Sequence, residues 1–299
     1  MEYRFVSGRQ WPIGMRVSQA LMEKMTMVHG SRFPLPDFDR LRSTKNFIGI
    51  MGLVSAYATQ AARGRLFIRD HKARVDFFTQ NVSTYTRRAL ECFNFDIQVF
   101  GYQTDLMREK RFLLVGNHLS YLDIFVLSSI QPCVFVTSVD MHETPFLGQM
   151  AELGGSLFVE RRNRSHIGRD IGVMADTLRD GHHVVVYPEG TSGNGGEVMR
   201  FKRTLLTSAI DASADLMPVV VKYTEIDGKP FSVENRDRVC WYGDMTFTPH
   251  FLGLLSLKKV KVELHFAQPI TVTATSDRRV LAEECHKVIS EIYGKPFQA

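Results

Sequence analysis

Four cysteines in 299 residues is little, and Cys92, Cys133, Cys240 and Cys285 stand far apart with no Cys-x-x-Cys pair. That spacing indicates neither a zinc site nor a disulfide framework and fits a reducing cytosolic setting. The opening Met1-Glu2-Tyr3-Arg4 has neither the apolar core nor the small-residue cleavage site of a signal peptide. The chain shows no internal repeat, no low-complexity tract and no serine nucleophile elbow of the Gly-x-Ser-x-Gly type. Acidic residues are scarce in the first quarter. Residues 1–74 hold 13 Lys/Arg against 5 Asp/Glu, or +8, and the remainder holds 24 against 27, or −3, which leaves +5 overall.

All the net positive charge therefore belongs to the amino-terminal quarter. A basic arm binds nucleic acid or an anionic membrane, and the apolar neighbour decides between them. Residues Asn46 to Ala62 carry no charge and are bracketed by Arg40, Arg42 and Lys45 on one side and Arg63, Arg65 and Arg69 on the other. A nucleic-acid arm has no need of such a stretch, so nucleic acid is not an expected partner. The stretch is short for a bilayer span and is diluted by Gly49, Gly52, Ser55, Thr59 and Gln60. It reads as an interfacial helix, with a re-entrant span and a core helix as alternatives. Two parts are expected: a basic membrane-associating helical extension, residues 1–74, with a helix over Val17 to Val28, and a catalytic domain, residues 75–299.

The chain is organised around Gly116-Asn117-His118-Leu119-Ser120-Tyr121-Leu122-Asp123, between the apolar runs Phe112 to Val115 and Ile124 to Leu127. A buried strand, a polar turn and a helix start are predicted, with Ser120 and Asp123 as a capping box. His118 and Asp123 stand five residues apart, about 140° around a continuous helix, so they meet only if His118 precedes the helix. A carboxylate on Nδ1 would then fix the tautomer and leave Nε2 free as a base. The alternative is a capping Asp123 beside an ordinary turn histidine.

Elsewhere, strands are expected at Phe95 to Phe100, Val134 to Val136, Gly154 to Val159, Val184 to Tyr187, Val219 to Val221 and Val260 to Phe266. Helices are expected at Val75 to Cys92, Ile167 to Arg179, Arg200 to Ala212 and Asp277 to Tyr293. Alternating strands and helices imply an α/β protein with a mixed, mostly parallel sheet flanked by helices. Two further polar turns follow strands: Glu160-Arg161-Arg162-Asn163-Arg164, a surface charge run or an anion cradle, and Pro188-Glu189-Gly190-Thr191-Ser192-Gly193. Ligand sites in such sheets collect at strand ends.

These turns, with Phe158-Val159-Glu160-Arg161 and Pro218-Val219-Val220, resemble in order and spacing the four motifs of the glycerolipid acyltransferase family, across about Phe95 to Ile270. The resemblance implies His118 and Asp123 as a catalytic dyad, Arg161 on the acceptor's phosphate, Glu189 and Gly190 at the acceptor site, and Lys202 beyond it. Asn117 and Thr191 are counted with the substrate-binding residues. It also implies acyl-CoA or acyl carrier protein thioester as co-substrate, no metal or other cofactor, a membrane lipid as acceptor, and a peripheral or monotopic place on the cytoplasmic face of a membrane.

The chemistry of the residues agrees. Without a serine elbow, direct attack by a lysolipid hydroxyl on a thioester is economical, with His118 as base and turn N–H groups as oxyanion donors. The expected acceptor is 1-acylglycerol-3-phosphate, held by Arg161, Arg162 and Lys202. The sequence departs from the family pattern at Ser192, where arginine is common, and at Thr204, near a usual glycine. The form Glu189-Gly190-Thr191-Ser192-Gly193-Asn194-Gly195 looks like a branch that includes lyso-ornithine lipid acyltransferases. A hydrolase using the same dyad and a non-enzymatic lipid-binding protein are the rival readings.

Overall fold

The computed structural model describes residues 40–144, 146–160 and 164–294. The expected helix over Val17 to Val28 lies outside them. One eight-stranded sheet forms the centre, in the order β1(Phe95–Phe100), β8(Val260–Phe266), β6(Asp215–Ile226), β2(Phe112–Gly116), β5(Val184–Val186), β3(Val134–Ser138) and β4(Leu157–Val159), with β7(Lys229–Pro230) on β6. All pairings are parallel except those of β6 with β7 and β8. This is the expected mixed, mostly parallel sheet.

Burial explains the arrangement. Every residue of β2 and β5 is buried, as continuous apolar runs require of central strands covered on both faces. Strand β8 alternates, with Val260, Val262, Leu264 and Phe266 inward. Helices α2(His71–Cys92), α4(Leu122–Ile130), α7(Arg164–Arg179) and α10(Arg278–Tyr293) flank the sheet. The last begins at Asp277, whose side chain accepts from the Arg279 N–H, and buries Leu281, Cys285, Ile289 and Tyr293.

Two expectations change. Residues 200–203 are not helical: Met199 N–H donates to Glu189 Oε2 (2.8 Å) and Lys202 N–H to the Pro188 carbonyl (2.8 Å). These donors are therefore committed to the turn after β5. Only a 3₁₀ turn, Thr204–Leu206, and a short helix, α8(Thr207–Ala212), follow. The strand at Val219 to Val221 grows to twelve residues because it pairs with β2 on one side and β8 on the other.

Helix α1(Arg40–Phe67) contains the uncharged stretch. Ile50, Tyr57 and Ala61 are buried, and the Tyr57 hydroxyl donates to the Met150 carbonyl at 3.0 Å. Asn81 Nδ2 of α2 donates to the Tyr57 carbonyl at 3.3 Å. Gly64 permits close packing on α2, for a Cβ there would lie 2.4 Å from the Phe77 ring. The other face shows Phe47, Ile48, Leu66 and Phe67 to solvent. No helix among the described residues is long and apolar enough to cross a membrane. The described residues form one compact unit, and the expected boundary between 74 and 75 falls inside α2 rather than in a linker.

Candidate functional site

Strand β2 delivers Asn117 and His118 to the carboxyl end of the sheet, and α4 starts at Leu122, so His118 precedes the helix. Its Nδ1 lies 2.9 Å from Asp123 Oδ2. The carboxylate has no solvent exposure, whereas the imidazole is 20% exposed. Burying a charge requires partners. Asp123 Oδ2 also accepts the N–H groups of Leu119 (2.6 Å) and Ser120 (2.8 Å), and Oδ1 accepts the Tyr223 hydroxyl (3.2 Å). Half of the expected capping box forms: Asp123 reaches the Ser120 N–H, but Ser120 Oγ is buried without a partner. With Nδ1 on the carboxylate, Nε2 makes no hydrogen bond among the described residues.

The rest of the turn is fixed just as fully. The His118 N–H donates to Glu189 Oε1 at 2.7 Å, and its carbonyl accepts from the Gly193 N–H at 2.8 Å. The Leu119 carbonyl accepts from the Trp241 N–H at 2.9 Å. The Tyr187 ring stacks on the imidazole, 4.3 Å between centroids and 12° between planes. Gly116 makes room for it, since a Cβ there would meet the Tyr187 ring at 3.0 Å. A base held this way loses little entropy when it engages a substrate. The N–H groups of His118, Leu119, Ser120, Gly190 and Gly193 are all occupied by these turns. These five are therefore not free as oxyanion donors.

Glu189 is buried, and its two oxygens hold the His118 and Met199 N–H groups. Burial pushes its pKa up to about 7, against the pull of those two hydrogen bonds. Gly190 has φ +78°, and a Cβ there would lie 2.5 Å from Lys202 Nζ, so the glycine is what lets the lysine lie across the turn. Asn117, expected at the substrate, instead bridges strands: Nδ2 donates to the Val221 carbonyl and Oδ1 accepts its N–H, both at 2.9 Å. Thr191 is exposed beside Ser192, whose hydroxyl donates to the Trp241 carbonyl. Arg161 and Arg162 lie outside the described residues.

Tyr223 and Tyr187 were missed from sequence. Tyr223 is 100 residues from Asp123 and follows an apolar run, where a tyrosine is ordinary. It precedes a register shift between β6 and β8, the kind of irregularity that re-aims a side chain. Burial and the Asp123 charge hold its phenol well above the ordinary range, so it stays a donor.

Comparison with known proteins points the same way. A family model described as Acyltransferase matches residues 97–222. A lyso-ornithine lipid O-acyltransferase of Rhizobium meliloti is 31% identical over 198 residues, covering 62% of this chain and 68% of that protein. A 1-acyl-sn-glycerol-3-phosphate acyltransferase of Neisseria gonorrhoeae is 28% identical over 180 residues, covering 60% and 68%. The crystal structure of the 1-acyl-sn-glycerophosphate acyltransferase PlsC from Thermotoga maritima superposes with a TM-score of 0.61 at 16% identity, over 85% of this chain and 95% of that one. That likeness concerns the fold.

Proposed function

Since the chain belongs to the glycerolipid acyltransferase family, we propose that it moves an acyl group from an acyl thioester to the free hydroxyl of a lysolipid, with His118 and Asp123 as the catalytic pair. Family membership makes the protein an acyltransferase and removes the non-enzymatic reading. The observation that carries the mechanism is the 2.9 Å contact of His118 Nδ1 with buried Asp123, with Nε2 unbonded at the strand end.

In this reading Nε2 takes the hydroxyl proton as the oxygen attacks the thioester carbonyl, and Asp123 stabilises the imidazolium. The tetrahedral adduct collapses with loss of the thiolate. A thiol of pKa about 8.5 leaves readily, and the proton on Nε2 returns to sulfur. Acyl-CoA and acyl carrier protein are both suitable donors.

For the acceptor, lyso-ornithine lipid has the better support. Ser192 stands where a further cation is common, and its hydroxyl is tied to the Trp241 backbone. The relative at 31% identity is named for lyso-ornithine lipid. The second reading, 1-acylglycerol-3-phosphate, is favoured by the Neisseria relative's name and by Arg161, Arg162 and Arg164 in the sequence. Purified protein given labelled acyl-CoA or acyl carrier protein thioester, with both lysolipids in parallel, tests this. A higher kcat/KM for 1-acylglycerol-3-phosphate would reverse the order, and thioester hydrolysis with no acylated lipid would reject transfer to a lysolipid.

We place the enzyme at the cytoplasmic surface of an anionic membrane, with α1 as the contact. Phe47, Ile48, Leu66 and Phe67 are exposed on a helix that carries Arg63 and Arg65. Replacing the four apolar residues by serine should reduce flotation with anionic vesicles. Unchanged flotation would move the contact elsewhere.

A further inference from the structure

The other end of the same sheet holds a cavity of about 390 Å³, within the range of small-molecule sites. It opens at the amino ends of β2, β3 and β5, where Arg111, Cys133 and His183 precede the strands. The five residues of β2 put it roughly 16 Å from the His118 turn at about 3.3 Å per residue, so it cannot share the reacting atoms.

Its charge is unbalanced. Lys72 Nζ and Arg111 Nε both converge on Gly181: a Cβ there would lie 3.3 Å from the first and 3.9 Å from the second. Like charges gathered this closely repel unless an anion sits between or beside them. Arg111 is rigid, with Nε on the Gly181 carbonyl and Nη1 on those of Met107 (3.1 Å), Arg108 (2.9 Å) and Lys110 (2.9 Å). No carboxylate neutralises it, and Nη2 has no partner among the described residues. The Arg108 side chain lines the same cavity and makes no hydrogen bond or ion pair among the described residues. The one acid in the wall, Asp76, accepts from buried His182 Nε2 at 3.0 Å.

We propose that this cavity binds a phosphate-bearing small molecule, with Arg108 and Arg111 as its cationic wall and Lys72 beside it at Gly181. The Arg108 guanidinium can meet phosphate oxygens in pairs, and Arg111, held by four backbone carbonyls through Nε and Nη1, keeps Nη2 to donate. The site stands whether or not the acyl-transfer reading does. It is linked to the catalytic strand, because the Phe112 N–H that opens β2 donates to His183 Nδ1 at 3.2 Å, and His183 Nε2 donates to the Met107 carbonyl at 3.0 Å.

The test uses the full chain and labelled inorganic pyrophosphate in equilibrium dialysis. Lys72 and Arg108 are both exposed, so Lys72→Gln with Arg108→Gln should leave the fold intact, which circular dichroism checks. We expect saturable binding that weakens about tenfold or more in the double variant and is unchanged in Lys202→Gln, which alters the other end of the sheet. Absence of saturable binding, or equal affinity in the double variant, would overturn the proposal. Flotation with phosphatidylglycerol vesicles separates the sources of phosphate. Flotation unchanged in the double variant assigns a free phosphate compound, and flotation lost together with pyrophosphate binding assigns a lipid headgroup.

Discussion

Two buried carboxylates, Asp123 after β2 and Glu189 after β5, sit in adjacent turns and both collect backbone N–H groups, yet they are built for different work. Asp123 takes two N–H groups of its own turn, the Tyr223 hydroxyl and the imidazole. Glu189 takes no side-chain donor among the described residues: it holds the backbone of His118 from one side and that of Met199 from the other. One carboxylate orients a ring, and the other locks the strand end that carries the ring. The motif glutamate expected at the acceptor has both oxygens on backbone N–H groups, the contacts of a clamp on the turn.

The largest effect should come from His118→Ala. It should lower kcat about 10²- to 10⁴-fold while leaving the melting temperature near wild type, because the imidazole is partly exposed and its backbone bonds survive. Wild-type turnover in that folded variant would end the dyad mechanism.

Asp123→Asn should lose nearly as much activity and also stability, because an amide nitrogen would face donors that now meet oxygen. Each buried unsatisfied group costs about 1–3 kcal/mol. Calorimetry beside kinetics would separate this variant from His118→Ala. Equal melting temperatures would show that the carboxylate's hydrogen bonds contribute little to folding.

Glu189→Gln sharpens the contrast. If the residue clamps the turn, kcat should fall about tenfold with stability, and the acceptor KM should hardly move. A rise in acceptor KM alone would restore the acceptor role. The pH dependence has a definite sign. The folded-state pKa of about 7 lies above the ordinary 4.5, so protonation favours the folded form. This contribution, of the order of 3 kcal/mol, is fully present below about pH 4.5 and is lost as pH rises through about 7. Urea titrations between pH 5 and 8 should show that slope in wild type and not in Glu189→Gln.

The smallest effect belongs to Tyr223→Phe, which removes a single bond to Asp123 Oδ1. A stability loss of about 0.5–1.5 kcal/mol and a kcat drop of a few-fold, with KM unchanged, are expected. A larger kcat loss than in Asp123→Asn would make the phenol more than a support.

Much of this was legible in the chain. The all-apolar runs Phe112 to Val115 and Val184 to Val186 fix central strands, and the alternation of Val260 to Phe266 fixes one at the mixed side of the sheet, because burial pattern follows strand periodicity. The five-residue spacing of His118 and Asp123 was legible, and their contact followed once the helix began at Leu122, after His118. The segment at 200–203 was misread as helix because local charge and propensity give no sign that Met199 and Lys202 donate to a distant turn.

What the sequence by itself determined is therefore local: strand identity, the polar turns that end the strands, the imidazole with a carboxylate five residues on, and the charge asymmetry of the first quarter. Only the tertiary structure decided that Glu189 holds His118, that Asn117 is spent on Val221, that Tyr223 reaches Asp123, and that Lys72 and Arg111 converge on Gly181. Each of these joins residues from separate elements, and such contacts depend on sheet order and register, which periodicity along one strand does not encode.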